Sequence, residues 1–131
     1  MSTMLLKGGR VIDPSQQLDR VMNLLLRDGK VAALDVSGED AAEVIDCSGR
    51  IVAPGLIDMH VHLREPGREE DETIATGTAA ALAGGFTTIA CIPNTEPPID
   101  TQATVEFIRH LAARADNCNV VVVACVSKKL S

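Results

Sequence analysis

The chain has 131 residues, 46% of them hydrophobic, and a formal net charge of −6. This hydrophobic fraction excludes intrinsic disorder, and the acidic balance, without a run of lysines and arginines, argues against nucleic acid or an anionic membrane surface as a partner. No apolar stretch approaches the roughly 20 residues of a membrane span, and the first residues lack the pattern of a secretory signal. We therefore expect a cytoplasmic protein.

The four cysteines are scattered along the chain and form no Cys-x-x-Cys pair, so neither a zinc knuckle nor a redox motif is indicated. They are Cys47, Cys91, Cys118 and Cys125, and we expect them to be buried thiols. Phe86 and Phe107 are the only aromatic residues. This composition removes the aromatic platform on which single-stranded nucleic acid stacks.

Residues 1–52 predict a small β region. Short apolar runs at residues 5–6, 10–12, 21–26, 30–34, 44–45 and 51–52 alternate with turn signals. Asp28 with Gly29 predicts a hairpin, and Ser48 with Gly49 predicts a second turn. Residues 37–43 are small and acidic, which is typical of a surface loop. These strands are too few and too short to close a core alone.

The pattern of residues 55–64 predicts a strand that carries the chemistry of the chain and breaks at Glu65, Pro66 and Gly67. Side chains alternate along a strand, so we expect Ile57, Met59, Val61 and Leu63 on one face and Asp58, His60, His62 and Arg64 on the other. The Cα atoms of His60 and His62 are then roughly 6.6 Å apart, close enough for both rings to bind one zinc ion. The apolar face predicts packing under helices, as in a barrel strand.

A solvent-exposed strand with polar alternation is the competing interpretation. His-x-His alone is a weak signal, because surface strands also alternate in this way. The run of residues 53–55, Ala-Pro-Gly, precedes the strand, and the opposite face is wholly aliphatic, which favours a site. On pattern alone the two interpretations are about equally supported.

The remaining residues predict alternating helices and strands. We expect a helix over residues 73–83 with Glu69, Glu70, Asp71 and Glu72 in its acidic first turn and Gly84 as the residue that ends it. A strand follows at residues 86–92. The next helix is capped by Asp100 or Thr101 and has an apolar stripe of Ala103, Phe107, Ile108, Leu111 and Ala115. Its His110 lies off the stripe, so we expect it exposed and not a ligand. Residues 120–126 predict a parallel strand buried on both faces.

Several motifs together closely resemble the dihydroorotases of the amidohydrolase superfamily. They are residues 55–67, with Leu-Arg-Glu-Pro-Gly at 63–67, then residues 77–81, residues 84–88 and Pro-Asn-Thr-Glu-Pro at 93–97. The resemblance implies a (β/α)₈ barrel with a binuclear zinc site that interconverts L-dihydroorotate and N-carbamoyl-L-aspartate in pyrimidine synthesis. A complete barrel needs about 250 residues. We therefore expect the amino-terminal part of a longer enzyme, with residues 1–52 in a composite β-sandwich and residues 53–131 forming the first three barrel strands.

The resemblance also implies roles for individual residues. His60 and His62 would bind zinc, Arg64 and Asn94 would bind the substrate carboxylate, and Asp58 is a candidate for orienting an imidazole. The remaining metal ligands and the general base would lie beyond Ser131, so the chain alone is expected to be inactive. Homodimerisation or an aspartate transcarbamoylase partner would suit the longer protein.

Two alternatives remain. One is a non-catalytic dihydroorotase-like subunit that scaffolds aspartate transcarbamoylase. The other is a hydantoinase or allantoinase, in which we expect different residues at positions 64 and 94.

Overall fold

The computed structural model describes residues 2–37 and 41–130 of a mixed α/β chain. The chain packs as two compact units, residues 1–54 and residues 55–131. Among the described residues, no helix is long and apolar enough to cross a membrane. The assignment of the units to a composite β-sandwich and to the first part of a barrel stays a prediction.

The first unit is a five-stranded mixed sheet. Its strands are β1 (Thr3–Asp13), β2 (Leu18–Arg27), β3 (Lys30–Leu34), β4 (Glu43–Asp46) and β5 (Ile51–Val52). The order is β3-β2-β1-β4, and β5 also pairs with β1. Pairs β1/β2 and β2/β3 are antiparallel, whereas β4 and β5 run parallel to β1. The predicted small β region is confirmed, with the two runs at residues 5–6 and 10–12 joined in one bulged strand.

Two predicted turns of this unit are confirmed. Asp28 and Gly29 connect β2 and β3 with φ of 49° and 75°, the positive values that a tight hairpin turn requires. Gly49 has φ of 73°, and the N–H of Arg50 donates to the carbonyl of Cys47 at 2.9 Å. Of the predicted loop at residues 37–43, residues 38–40 lie outside the described part of the chain.

The second unit alternates strands and helices. Strands β6 (Leu56–Val61), β7 (Phe86–Cys91) and β8 (Asn119–Val122) form a parallel sheet in that order, with α1 (Ile74–Ala83) and α2 (Gln102–Ala115) in the connections. Its core contains Leu63, Ile74, Ile89, Cys91, Ile99 and Ile108. The predicted parallel arrangement of three strands is confirmed. Desolvation in this core raises the pKa of the Cys91 thiol.

Helix α1 begins and ends slightly differently from the prediction. Residues 69–72 precede the helix and lie outside its first turn, because Thr73 is the N-cap and accepts the N–H of Thr76 at 3.1 Å. At the other end Gly84 is the C-cap in the right-handed region, and Gly85 takes the positive φ of 85°. The helix packs closely, because a Cβ on Gly77 would lie 2.6 Å from Cδ2 of Leu63.

The predicted alternation along β6 is wrong over its first half. Asp58 pairs with Ile89, and Val61 pairs with Cys91, so Met59 and His60 together oppose the single residue between them. This bulge leaves Ile57 and Met59 65% and 80% exposed, whereas Asp58 is half-buried beside α1. One extra residue therefore moves Asp58 to the helix side of the sheet.

Two further expectations about packing are wrong. Phe107 is 45% exposed, because the stripe of α2 that meets the core consists of Val105, Ile108, Leu111 and Ala112. Strand β8 is buried on one face only, since Val120 and Val122 contact the core whereas Val121 is 53% exposed. His110 is exposed as expected.

Candidate functional site

His60 and His62 come together at the carboxyl end of β6. His60 lies in the strand and His62 follows its last residue, and both side chains are exposed. Their ring centroids are 5.3 Å apart, and the rings are inclined by 59°. Two nitrogen atoms that share one zinc ion lie at most about 4.2 Å apart. The separation of these rings is compatible with such a shared ion.

Asn94 contacts His62 from the loop that follows β7. The side-chain amide of Asn94 lies against Nδ1 of His62, with its oxygen at 3.2 Å and its nitrogen at 3.0 Å. If the amide oxygen accepts a hydrogen bond from the Nδ1–H group, the tautomer is fixed and Nε2 remains free to bind a metal. A partner of this kind on the second ring nitrogen is typical of metal-binding histidines.

Arg64 and Asn94 line one cleft of about 410 Å³. Arg68, Thr95, Glu96 and Pro98 complete its lining, so the cleft is formed by the loops that follow β6 and β7. Both guanidinium and amide groups donate to a carboxylate. The structure therefore brings Arg64, Asn94 and His62 into one neighbourhood, with Asn94 between the other two.

Arg68 lines this cleft, although sequence reasoning did not identify it. Its guanidinium forms an ion pair with Asp71, and its backbone N–H donates to the carbonyl of Arg64 at 3.0 Å. The four-residue spacing from Arg64 offered no signal, because the intervening Pro66 and Gly67 exclude a helix there. Beside it, the backbone N–H of Gly67 donates to Glu69 at 2.9 Å, and this hydrogen bond holds the pKa of Glu69 below its usual value.

Asp58 contacts the backbone of the His60 segment instead of an imidazole ring. One of its carboxylate oxygens accepts the N–H of His60 at 3.0 Å. This hydrogen bond satisfies a donor inside the bulge of β6, where the pairing with β7 is interrupted. Asp58 therefore supports the conformation that presents His60, although its side chain is not on the predicted face.

The donor set fits zinc in kind and provides part of the usual number. Two imidazole nitrogens are ligands that zinc prefers, and catalytic zinc generally has three protein ligands. Within residues 2–37 and 41–130, no group of three or more histidine, cysteine, aspartate or glutamate side chains is arranged to hold a metal ion. On their own, His60 and His62 could therefore supply two of the three protein ligands that a catalytic zinc ion usually has.

Comparison with known proteins gives consistent results. Residues 49–128 match the family model described as dihydro-orotase-like. A putative dihydroorotase of Rhodopirellula baltica is 48% identical over 130 residues, which cover 97% of this chain and 28% of that protein. The dihydroorotase of Syntrophus aciditrophicus is 51% identical over 127 residues, covering 95% of this chain and 30% of that protein.

A solved structure gives the same architecture. The L-hydantoinase (dihydropyrimidinase) from Arthrobacter aurescens superposes with a TM-score of 0.79 at 26% identity, over 95% of this chain and 28% of the hydantoinase. The match lies in the amino-terminal portion of hydantoinase structures. The chain therefore spans less than a third of the length of these three relatives.

Proposed function

Because the chain belongs to the dihydro-orotase-like family, we propose that it carries part of the active site of a dihydroorotase. This part consists of two zinc ligands, His60 and His62, and of a carboxylate clamp, the pair Arg64 and Asn94 that binds the substrate carboxylate. The reaction is the reversible hydrolysis of L-dihydroorotate to N-carbamoyl-L-aspartate. The observation that carries the proposal is the neighbourhood of His62, Asn94 and Arg64 at the ends of two adjacent parallel strands. The carboxyl ends of such strands are where barrel enzymes place their active sites.

The comparisons support a dihydroorotase more strongly than a hydantoinase. The relatives named dihydroorotase are 48% and 51% identical, whereas the hydantoinase is 26% identical. Arg64 is also chemically suited to a carboxylate, because its planar guanidinium can donate two parallel hydrogen bonds. A ring substrate without a carboxylate does not offer the two parallel acceptors that match this planar guanidinium.

In the proposed reaction, the residues of this chain bind and orient the substrate. Arg64 donates two hydrogen bonds to the substrate carboxylate, and Asn94 adds a neutral donor. His60 and His62 would hold zinc, which supplies Lewis-acid chemistry that polarises the amide carbonyl and acidifies water. Asn94 on Nδ1 of His62 keeps the ring oriented, so the carboxylate clamp and the metal ligand share one side chain.

The remaining elements of the proposal concern the whole protein. We propose that the parallel sheet of the second unit is the first part of a (β/α)₈ barrel, and that residues 1–52 contribute to a composite sandwich. Further metal ligands and a general base then come from other parts of the longer protein. A cytoplasmic location, and a homodimer or an aspartate transcarbamoylase partner, belong to the same proposal.

A chimaera tests the clamp. Residues 1–131 replace the matching segment of the Syntrophus aciditrophicus dihydroorotase, and hydrolysis of L-dihydroorotate is assayed with zinc content measured in parallel. We expect turnover by this chimaera. Arg64→Ala is expected to lower kcat/KM by about a hundredfold or more, because each hydrogen bond to a charged group contributes about 1.5–3 kcal/mol, while zinc content stays unchanged.

Arg114→Ala is the matched control, since Arg114 is an exposed arginine in the last turn of α2. It should leave both turnover and zinc unchanged. Equal loss of zinc and activity in Arg64→Ala would contradict the clamp. A folded, zinc-loaded chimaera without turnover would instead favour the non-catalytic subunit.

A further inference from the structure

We propose that Glu65 and Gly67 are positioning residues that hold Arg64 against the loop of Asn94. This inference rests on the proposed role of Arg64 and Asn94 as a carboxylate clamp. Glu65 stands beside the candidate metal site in the sequence, where a carboxylate would ordinarily be considered as a ligand or an acid. The contacts of its side chain assign it a different role.

Glu65 joins the Arg64 loop to the start of α1. Its Oε2 accepts the backbone N–H of Ile74 at 2.8 Å, and Ile74 is the first residue of the helix and completely buried. This N–H is one of the helix-terminal donors that have no partner within the helix. Thr73 satisfies the N–H of Thr76 instead, so Glu65 provides a contact that the N-cap does not.

The residue on the other side of Arg64 is also fixed to α1. Leu63 is 4% exposed, and its Cδ2 would be 2.6 Å from a Cβ placed on Gly77. The backbone of Arg64 therefore lies between two anchors, an apolar one at Leu63 and a polar one at Glu65. Both anchors contact α1.

Gly67 joins the Arg64 loop to the loop that carries Asn94. A Cβ on Gly67 would lie 2.2 Å from the carbonyl oxygen and 2.6 Å from the Cβ of Glu96, and its φ is 110°. Only glycine accommodates this approach and this conformation. The N–H of Glu96 also donates to the carbonyl of Pro66 at 3.0 Å. Glu96 is two residues beyond Asn94, so these contacts fix the distance between the two halves of the clamp.

The contacts of Leu63, Glu65 and Gly67 hold the carboxylate clamp in one conformation before the substrate binds. Misplacing a binding group by about 1 Å can cost about a hundredfold in kcat/KM. An Arg64 loop released from α1 or from Glu96 would have to be ordered by the substrate itself. Release of the Arg64 loop therefore weakens substrate binding. The proposed metal ligands precede Leu63 in the chain, so they stay in place.

The test compares Glu65→Ala, Glu65→Gln and Gly67→Ala in the chimaera. Glutamine keeps an oxygen that can accept the N–H of Ile74 but removes the charge. We expect Glu65→Ala and Gly67→Ala to raise KM for N-carbamoyl-L-aspartate by about ten- to a hundredfold, with smaller changes in kcat and unchanged zinc. Glu65→Gln should stay within a few-fold of the parent, and Glu70→Ala, an exposed carboxylate of the same loop, should equal the parent.

Hydrogen exchange provides a readout that does not need turnover. Glu65→Ala is expected to speed exchange of the Ile74 amide and of residues 64–68 together, and Glu65→Gln is not. The inference is overturned if exchange rises at Ile74 without rising at residues 64–68, if KM is unchanged while exchange rises, or if Glu65→Gln is as impaired as Glu65→Ala. An inactive parent chimaera would reject the proposed function, and the exchange of residues 64–68 would still decide the coupling.

Discussion

Asn94 is the residue on which the candidate site depends in two ways. It lies against Nδ1 of His62 and also lines the cleft with Arg64. Arg64 itself has no such link to the histidines among the contacts of the described residues. The side chains of the clamp are therefore not equivalent, since loss of Asn94 should disturb both metal and substrate whereas loss of Arg64 should disturb substrate alone.

We expect Asn94→Ala in the chimaera to raise KM and also to weaken zinc binding by about ten- to a hundredfold, the usual cost of removing a partner from a metal-binding histidine. Titration with a zinc chelator alongside steady-state kinetics measures both effects. Arg64→Ala is the comparison, because it should move KM only. Asn94→Ala with unaltered zinc affinity would show that the contact with His62 is incidental.

The two histidines should each be indispensable for the first metal. We expect His60→Ala and His62→Ala to lose stoichiometric zinc, because each removes one donor from a set that needs at least three. Metal analysis of the purified chimaeras is the measurement, with the exposed His110→Ala of α2 as the control. Full zinc and full activity in either variant would return the pair to the role of ordinary surface histidines.

Helix α2 shows what packing adds to a helical pattern. Its buried face is centred on Ile108, which is completely buried, whereas the neighbouring Phe107 is 45% exposed. Burial of Val105 and Ala112 on either side places the stripe at three- and four-residue spacing. The face that meets the sheet is therefore offset from the largest side chain of the helix.

Ile108→Ala should lower the free energy of unfolding by about 2–5 kcal/mol, because it leaves a cavity in a close-packed core. Phe107→Ala removes a larger side chain from a more exposed position, so we expect the smaller effect. Chemical denaturation of the chimaera, followed by circular dichroism, measures both. A greater loss in Phe107→Ala would mean that the other stripe of α2 faces the core.

The elements of the fold could be predicted from local pattern, and their exact faces could not. The three parallel strands and two helices of residues 55–131 follow from apolar runs and glycine or proline signals. The bulge at Met59 and His60 has no such signal, because it depends on the pairing of β6 with β7 and on the hydrogen bond from His60 to Asp58. Glu65 was likewise unassigned, since its partner Ile74 is nine residues away.

At the scale of the molecule, large apolar residues remain exposed in both units. In the second unit Met59, Ile57 and Val121 are 80%, 65% and 53% exposed. Val121 lies between two residues that contact the core, so it projects from the sheet face away from the helices. The first unit exposes Val21 and Val31 by 70% and 60%. Ile57, Met59 and Val121 are large apolar side chains on the strands of one three-stranded sheet, where a covering protein segment would remove them from water.

The 131-residue chain made alone is therefore expected to self-associate, to bind zinc weakly and to show no dihydroorotase turnover. Strands β6 and β8 are the edges of their sheet in the described structure, and exposed edges of apolar strands promote association. His60 and His62 provide two ligands where catalytic zinc needs three. Sedimentation, zinc titration and an L-dihydroorotate assay of the purified chain are the measurements. The double variant Met59→Glu, Val121→Glu should associate less than the parent chain and should still be inactive. If the parent chain is instead a soluble monomer that turns over substrate, residues 1–131 hold a complete site.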